Sequence, residues 1–260
     1  MSARMDSEYP FFFGPGSELF GLYHPASGRA NKAALLCPPW GQDHIRCHRL
    51  YRQLANALAA EGCAVLRFDY YGTGDSAGTS AEVDWDRCIA DTCAAADELR
   101  ARSGAQHVVA FGARLGGSIA LAATTRARLA DVVVWDPVVD GCAYIKQLDA
   151  MQAALRQDPH RFVEPRAVDE TAAQWLGFAI SPRLRHQLAD LRPDTAGSPS
   201  LVLDSLPPTP AHRWKGLVAA HAKVKELHPF TPWDDLRRLE QAILSHPLIQ
   251  AVTHHWQGGR

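Results

Sequence analysis

Short apolar runs alternate with amphipathic stretches along most of this 260-residue chain, and no other feature constrains its fold as strongly. The runs "KAALLC", "CAVLRF" and "DVVVWD" have the length and composition of strands that are buried on both faces. The stretches between them carry apolar residues at helical spacing, and two of these stretches end at a glycine. Because strands that alternate with helices form right-handed βαβ units, the sequence predicts an α/β fold with a doubly wound, mostly parallel sheet.

The beginning of the chain and one central segment depart from this alternation. About the first 35 residues predict a pair of strands around the turn Gly14-Pro15-Gly16. Residues 145–195 have a helical composition without a strand candidate, and they lie where a lid would be inserted. Two further strand patterns follow this segment. We therefore expect a core formed by residues 1–144 and 196–260, with residues 145–195 as a helical lid.

The bulk composition excludes several classes of protein. The chain is 47% hydrophobic and 21% charged, which suits one domain with a sizeable core, and its net charge of −1 gives no reason to expect nucleic acid as a partner. The six cysteines form no CxxC pair, which favours reduced thiols. The first residues lack the apolar core of roughly 7–15 residues that a signal peptide needs. No apolar run reaches the ~18 residues that span a bilayer. We expect a cytoplasmic protein without a membrane span, a metal or an organic cofactor.

Residues 108–123, "VVAFGARLGGSIALAA", predict a strand, a sharp turn flanked by glycines and a helix. In α/β-hydrolases such a turn carries the catalytic nucleophile, and the residue at this position is Arg114. A guanidinium stays protonated and has no usable lone pair, so it cannot form an acyl-enzyme. It can bind a carboxylate, phosphate or enolate through two parallel hydrogen bonds. Contact with such an anion and structural pairing with an acidic neighbour are both open for Arg114.

The groups that would stabilise an oxyanion can be placed around the same turn. The backbone N–H after the nucleophile belongs to Leu115, and the loop after the third strand offers the N–H of Trp40. A turn displaced by one helical turn would instead present Ser118, although a small serine beside a sheet is more often a packing residue.

Several stretches of the chain resemble one known family. They are "PPWGQDHIRCHRLYRQLANALAAEGCAVLRFDYYGTGDSAG", "FGARLGGSIALAA", "VVVWDPVVDGCAYIKQL", "WLGFAISPRLRHQLADL" and "HPFTPWDDLRRLEQAILSHPLIQAVT". From about residue 9 to its end, the chain resembles the exosortase A system-associated hydrolases, which are bacterial members of the α/β-hydrolase superfamily related to the serine aminopeptidase S33 group. The resemblance implies an α/β-hydrolase fold with a lid, and it includes the Arg-Leu-Gly turn, which is a feature of part of that group. A fold alone does not establish an activity.

The partners of a catalytic triad should follow in the order nucleophile, acid, histidine. Asp204 is the candidate acid, although it lies within or at the end of its strand. Asp136, with Asp140 beyond it, is the alternative from the preceding strand, and a turn residue before proline is the competing interpretation for Asp136. His228 is the best-placed histidine after the last strand. The other histidines of this region are less well placed; they are His221, His246, His254 and His255.

Three other candidates have weaker support. His44 and His48 have the spacing of metal ligands on a helix, but no HExxH glutamate lies between them, and a solvated or lid-facing pair is the simpler interpretation. Cys37 and Cys142 follow predicted strands, where Arg114 could lower a thiol pKa, yet inert cysteines are expected. The glycine-rich loop with Asp75-Ser76 lacks the lysine of a phosphate loop and is interpreted as structural.

Two functional hypotheses follow. In the first, the protein hydrolyses or transfers the acyl group of a small-molecule ester or thioester without the usual serine. Trp40 and Leu115 would then stabilise the oxyanion, while His228 would activate a water or alcohol, and the lid would shape an apolar pocket. In the second, it is a catalytically inactive pseudoenzyme that binds an anionic or acyl ligand, or a partner enzyme, through Arg114.

Overall fold

The computed structural model describes residues 8–28, 32–168, 172–192, 198–208, 213–214, 216–218 and 222–257. Its strands are β1 (Tyr9–Phe13), β2 (Leu19–His24), β3 (Lys32–Cys37), β4 (Cys63–Phe68), β5 (His107–Ala113), β6 (Asp131–Trp135), β7 (Gln174–Trp175), β8 (Phe178–Ala179), β9 (Leu201–Asp204) and β10 (Lys223–Glu226). Its α-helices are α1 (Gln42–Ala60), α2 (Trp85–Ser103), α3 (Arg114–Ala123), α4 (Gly141–Arg156), α5 (Pro182–Ala189) and α6 (His246–Gln257).

Eight of the strands form one sheet in the order β1-β2-β4-β3-β5-β6-β9-β10. The pairs β1-β2 and β2-β4 are antiparallel, and every pair from β4 to β10 is parallel. The prediction of a doubly wound, mostly parallel sheet is therefore confirmed. The expected strand pair at the beginning of the chain is also present, as β1 and β2.

Helices cover both faces of this sheet because successive strand residues point to opposite sides. In β3, Ala33 and Leu35 join the core cluster formed with α2, α3 and the lid, whereas Ala34 and Leu36 join the cluster formed with α1 and α6. Because β3, β5 and β6 are parallel neighbours, their carboxyl ends meet at one edge of the sheet, where a ligand would be expected.

The segment between β6 and β9 is less uniformly helical than its composition predicts. It contains α4 and α5, and a two-stranded hairpin, β7-β8, lies between them. The expectation that residues 145–195 contain no strand was therefore wrong. The hairpin turn has Leu176 at φ 51° and Gly177 at φ 94°, the conformation of a tight turn with two left-handed residues. Leucine rarely adopts that conformation, so the sequence carried only half of the usual turn signal.

No helix among the described residues is long and apolar enough to cross a membrane.

Candidate functional site

The sharp turn between β5 and α3 places Arg114 at the carboxyl edge of the sheet. Arg114 is the first residue of α3 and has a φ of 50°, which is costly for a bulky residue, on the order of 1–3 kcal/mol. A Cβ on Gly116 would lie 2.2 Å from the carbonyl oxygen of Pro38, so the following turn of the helix packs directly on the loop after β3. The backbone therefore keeps the geometry of a nucleophile turn, although its central side chain is a guanidinium.

The guanidinium of Arg114 points into the protein and is only loosely partnered. Its side chain is 8% exposed, and its Nε lies 3.5 Å from Oδ2 of Asp43. Its Nη1 donates to the carbonyl oxygen of Asp136 at 3.4 Å, and its Nη2 donates to Oε1 of Gln147 at 3.5 Å. All three contacts are at the outer limit for hydrogen bonding, where the interaction is weak.

Aromatic rings surround the same guanidinium. Its central carbon lies 5.1 Å from the ring centroid of Trp233 and 5.5 Å from that of Tyr144. At these distances each ring contributes a cation–π attraction. The rings also keep water away from Arg114, which strengthens its electrostatic field inside the protein.

A small cavity of about 20 Å³, large enough for one water molecule, lies against Arg114. Two buried donors of its wall residues have no hydrogen-bond partner among the described residues. They are Nε1 of Trp40 and Nε of Arg114, and the latter has only its ion pair with Asp43 at 3.5 Å. The wall residues from the lid are mostly apolar and include Leu148, Met151 and Trp175. The cavity thus combines apolar walls with unsatisfied donors, and its chemistry suits a hydrogen-bond acceptor or an anion.

Among the carboxylates of the site, Asp136 most resembles the buried acid of a catalytic triad. It is fully buried, and it accepts hydrogen bonds from the backbone N–H of Ser205 at 2.8 Å, the Ser205 hydroxyl at 2.5 Å and Nε1 of Trp233 at 2.8 Å. Burial raises the pKa of Asp136, and these hydrogen bonds and the charge of Arg114 oppose the shift. The carboxylate therefore belongs to the structure of the site even though it does not line the cavity.

Trp233 lies between Asp136 and Arg114, where a triad histidine would link an acid to a nucleophile. Its indole donates to Asp136 on one side, and its ring faces the guanidinium of Arg114 on the other. An indole N–H is a donor only and cannot take up a proton near neutral pH. The chain thus carries Asp136, Trp233 and Arg114 in the spatial order of an acid, a base and a nucleophile. However, Trp233 cannot act as a base, and Arg114 cannot act as a nucleophile.

Asp43 and Arg46, near the start of α1, complete the charges of the site. Burial raises the pKa of Asp43, while the positive charges of Arg114 and Arg46 lower it. Arg46 donates to the carbonyl oxygens of Trp233 at 3.0 Å and Pro232 at 2.7 Å. Arg46 therefore fixes the loop that carries Trp233, and Asp43 provides the nearest countercharge to Arg114.

The structure does not bring His228 and Asp204 to Arg114. His228 is exposed and its ring lies 5.0 Å from that of Phe230. The carboxylate of Asp204 accepts a hydrogen bond from Nε1 of Trp214 at 2.7 Å. Neither residue lines the cavity. His246, His254 and His255 are also outside it, and His221 lies outside the described residues.

The two residues expected to stabilise an oxyanion, Leu115 and Trp40, lie close to Arg114, and the role of their backbone N–H groups stays a prediction. Leu115 is the second residue of α3, so its N–H has no acceptor within the helix. Trp40 lines the same cavity as Arg114. The alternative nucleophile, Ser118, is buried and its hydroxyl donates to the carbonyl oxygen of Val138 at 2.7 Å, which supports a packing role.

The two cysteines considered as nucleophiles do not line the cavity. Cys37 is buried, and burial raises the pKa of its thiol to about 12, which disfavours the reactive thiolate. Cys142 is exposed on α4, and its Sγ lies 3.3 Å from the carbonyl oxygen of Ala189. These positions support the interpretation of both as inert.

His44 and His48 line a separate cavity of about 150 Å³, in which Nε2 of His44 lies 3.4 Å from Oδ1 of Asp69. In the part of the chain that the structure describes, no group of three or more His, Cys, Asp or Glu side chains could hold a metal ion. Ser76, in the glycine-rich loop, donates to the carbonyl oxygen of Asp69 and accepts from the N–H of Phe20, which is a structural role.

Two features of the site escaped sequence reasoning. Asp43 stands in a stretch whose histidines draw attention to metal binding, and Trp233 stands in a proline- and tryptophan-containing stretch near the C-terminus that predicts no role for it. An acidic residue just after the loop of the third strand and a tryptophan just after the last strand are the signals that could have found them.

Comparison with known proteins agrees with the fold. A family model described as serine aminopeptidase, S33, matches residues 43–177, just over half of the chain. Est1E from Butyrivibrio proteoclasticus has a TM-score of 0.63 at 13% identity and covers 96% of this chain and 98% of its own. An α/β serine hydrolase without a lid from Xanthomonas campestris has a TM-score of 0.59 at 16% identity, with 99% and 96% covered. A thermostable carboxyl esterase from Bacillus coagulans has a TM-score of 0.60 at 13% identity, with 97% and 98% covered.

Among curated proteins, none matches the chain significantly. At such low identities the solved structures are evidence of the fold alone, and together with the family match they confirm the predicted α/β-hydrolase fold.

Proposed function

Because this chain belongs to the serine aminopeptidase S33 family of hydrolases, we propose that it uses the pocket of that fold to bind a small ligand with a carboxylate or an acyl oxygen, without forming an acyl-enzyme. The ligand's negative or partly negative oxygen lies against Arg114, and its apolar part lies against the lid.

One observation carries this proposal. Two residues that line one cavity have buried donors without a hydrogen-bond acceptor among the described residues: Nε1 of Trp40 has none, and Nε of Arg114 has only its ion pair with Asp43 at 3.5 Å. A buried donor without a partner costs roughly 1–3 kcal/mol, more when it is charged. An oxygen atom of a ligand would remove that cost, because it would supply the hydrogen-bond acceptor that the unliganded site lacks.

The ligand oxygen replaces an internal group. The cavity of about 20 Å³ does not hold a carboxylate with its chain, whereas the Asp43 carboxylate already lies 3.5 Å from Arg114. A bound anion takes the position of Asp43 against the guanidinium, and the lid residues move outward to admit the chain.

The side chains around the cavity argue against covalent chemistry. No serine, cysteine or histidine is found among the described residues that line it. Tryptophan and arginine take the places of base and nucleophile, and neither removes a proton or attacks a carbonyl at neutral pH.

A second candidate is non-covalent hydrolysis or transfer of an acyl ester or thioester. It is favoured by the N–H of Leu115, which has no acceptor within α3 and lies beside Arg114. An oxyanion hole and binding alone leave ~10³–10⁴-fold acceleration over water in serine proteases that lack their triad. Asp43, whose pKa burial raises, is the cavity's candidate proton acceptor in such a reaction.

Calorimetric titration with butanesulfonate tests the binding proposal, because a sulfonate mimics a carboxylate and stays ionised. We expect wild type to bind one equivalent, Arg114→Gln to lose at least about tenfold in affinity, and Arg128→Gln to match wild type. Arg128 is a surface arginine paired with Asp97, so it controls for overall charge. Equal affinity in all three proteins would reject Arg114 as the anchor.

Turnover of short- and medium-chain p-nitrophenyl esters and acyl thioesters separates the two candidates. Wild-type turnover that falls in Arg114→Ala supports the non-covalent reaction. If wild type shows no turnover but binds butanesulfonate, the result supports a binding protein. Arg114→Ser, run in parallel, shows whether a serine alone restores activity.

We also infer a cytoplasmic location and an association with an exosortase-type system. Six free cysteines support a reducing compartment, and the stretches that resemble exosortase A system-associated hydrolases support the association. Cell fractionation and co-purification with the products of such a system test these two inferences.

A further inference from the structure

The cavity that His44 and His48 line is separate from the one at Arg114. Its volume is about 150 Å³, and we call it the His44 cavity. Its walls come from β2, the carboxyl ends of β3 and β4, the first half of α1 and the glycine-rich loop. Among the described residues, none lines both cavities. A cavity of this volume can hold one benzene ring, so there is room for a small organic ligand.

A large part of this wall is apolar or aromatic. The residues of this kind are Phe20, Leu22, Leu36, Pro38, Tyr51 and Phe68. The hydroxyl of Tyr51 is already occupied, because it donates to the carbonyl oxygen of Cys37 and accepts from the N–H of Ala113, both at 2.9 Å. Tyr51 therefore offers only its ring. Three rings in one small wall suit an aromatic ligand, since aromatic pairs attract each other by more than the area that they bury.

Two polar side chains, His44 and Asp69, meet in the same cavity. They are 19% and 15% exposed, and Nε2 of His44 lies 3.4 Å from Oδ1 of Asp69. Oδ2 of Asp69 accepts a hydrogen bond from the N–H of Asp75 at 3.0 Å. Apart from their mutual contact, the imidazole of His44 and Oδ1 of Asp69 have no hydrogen-bond partner among the described residues. One point of the wall thus offers both a donor and an acceptor to a ligand.

The charges around His44 disfavour a charged ligand. Burial, with the charges of His48 and Arg67, lowers the pKa of His44 against the opposing effect of Asp69, so the imidazole is neutral at about pH 7. Arg67 and Asp69 both line the cavity. A cation would be repelled by Arg67, and an anion would be repelled by Asp69. A hydroxyl carries no charge, and it both donates and accepts hydrogen bonds.

We propose that the His44 cavity binds a small uncharged phenol, whose hydroxyl donates to Oδ1 of Asp69 and accepts from the imidazole N–H of His44. The ring of this ligand lies against the aromatic side chains of the wall. The phenol thus bridges two groups that otherwise have only each other. The site is independent of the function proposed at Arg114, because the described residues of the two cavities do not overlap.

Titration of fluorinated probes into the full chain, followed by fluorine NMR at about pH 7, tests the inference. 4-Fluorophenol is uncharged at this pH, since a phenol has a pKa near 10. Fluorobenzene lacks the hydroxyl, 4-fluorobenzylamine is a cation and 4-fluorobenzoate is an anion. We expect saturable binding of one equivalent of 4-fluorophenol, and at least about tenfold weaker binding of each of the other three probes.

Asp69→Asn is the sharpest variant, because it replaces an acceptor by a donor. The carbonyl oxygen of the asparagine must accept the N–H of Asp75, so its amide nitrogen takes the place of Oδ1. We expect Asp69→Asn and His44→Leu each to weaken 4-fluorophenol binding by at least about tenfold. The matched controls are Asp190→Asn and His186→Leu, since these two residues form an exposed histidine–aspartate pair at 3.8 Å. Both controls should bind 4-fluorophenol as wild type does.

Weakened 4-fluorophenol binding in Asp69→Asn and His44→Leu, but in neither control, supports the site. Binding that both variants leave unchanged, or that the controls weaken equally, overturns it. Binding that is lost in Arg114→Gln also overturns it, because the ligand then occupies the other cavity. Fluorobenzene, 4-fluorobenzylamine or 4-fluorobenzoate that binds as tightly as 4-fluorophenol overturns the assignment of an uncharged hydroxyl. If Asp69→Asn does not fold, as judged by its circular dichroism, unchanged affinity in His44→Leu overturns the inference.

Discussion

Asp43 competes with a bound anion for Arg114, because its carboxylate lies 3.5 Å from the guanidinium inside the protein. Burial raises the pKa of Asp43, so its protonated fraction grows at a higher pH than it would for an exposed aspartate. Protonation removes the internal competitor. Butanesulfonate affinity of wild type should therefore rise as the pH is lowered from neutral, and at a higher pH than an exposed aspartate would require, since the sulfonate stays ionised throughout.

Asp43→Asn is the matched variant for this prediction. It removes the charge and keeps the size, so its butanesulfonate affinity should exceed that of wild type at about pH 8, by roughly tenfold, and should depend little on pH. Titration calorimetry at several pH values measures both effects. A wild-type pH dependence that persists in Asp43→Asn would assign the effect to another group.

The assignment of Trp233 to the position of a catalytic base can be tested by placing a histidine there, with a serine at Arg114 as the nucleophile. In a protein with both Arg114→Ser and Trp233→His, a hydroxyl sits on the strained turn and an imidazole stands between it and the buried carboxylate of Asp136. We expect this double variant to hydrolyse p-nitrophenyl acetate with a burst of p-nitrophenol, because the acid, base and nucleophile then follow in order.

Each single variant provides a control for the double variant. Arg114→Ser alone lacks a base, and Trp233→His alone lacks a nucleophile, so neither should show a burst. Adding Asp136→Asn to the double variant should reduce its activity sharply, since the imidazole loses the group that orients it. A burst that Asp136→Asn leaves unchanged would show that Asp136 is not the acid of this arrangement.

At the scale of elements, the lid depends on one close contact between α4 and α5. A Cβ on Gly141, the first residue of α4, would lie 1.6 Å from the carbonyl oxygen of Leu188 in α5. Backbone atoms cannot move aside as a side chain can, so Gly141→Ala must separate the helices. We expect it to destabilise the protein by about 1–3 kcal/mol or more in chemical denaturation, and to speed amide exchange in α4 and α5 selectively.

Gly104→Ala is a control of the same chemistry at the end of α2. Gly104 has a φ of 72° and no atom within 4 Å of its would-be Cβ, so alanine there costs only the strain of the left-handed backbone, about 1–2 kcal/mol.

The hairpin β7-β8 is tied to α4 by hydrogen bonds from Trp175 to Asp149 and from Leu176 to Gln152. Gly141→Ala should therefore also weaken butanesulfonate binding, whereas Gly104→Ala should not.

Over the whole molecule, the sheet and its covering helices could be predicted because each strand and helix has its own local pattern. The strands β3, β4 and β6 are continuous apolar runs, and these need no tertiary information to be recognised. The hairpin of the lid could not be predicted, since its strands have two residues each and its turn uses a leucine at positive φ.

The site was only partly predictable for a different reason. Arg114 follows from the turn motif, which is local. The choice between Asp136 and Asp204 depends on which carboxylate the fold buries, and that is decided by contacts with Ser205 and Trp233, far away in sequence. Trp233 could not be predicted from a motif, because its position is defined by geometry and the histidine expected there is absent.

The aromatic wall around Arg114 gives the protein an optical signal of its own. Three of its seven tryptophans, Trp40, Trp175 and Trp233, line the cavity, and the indole of Trp40 has no hydrogen-bond partner among the described residues. Indole emission responds to polarity and to hydrogen bonding, so an oxygen atom that reaches Trp40 should shift the fluorescence spectrum of the untagged, unlabelled chain. Libraries of compounds with acyl or carboxylate groups can then be screened by the wavelength of this emission.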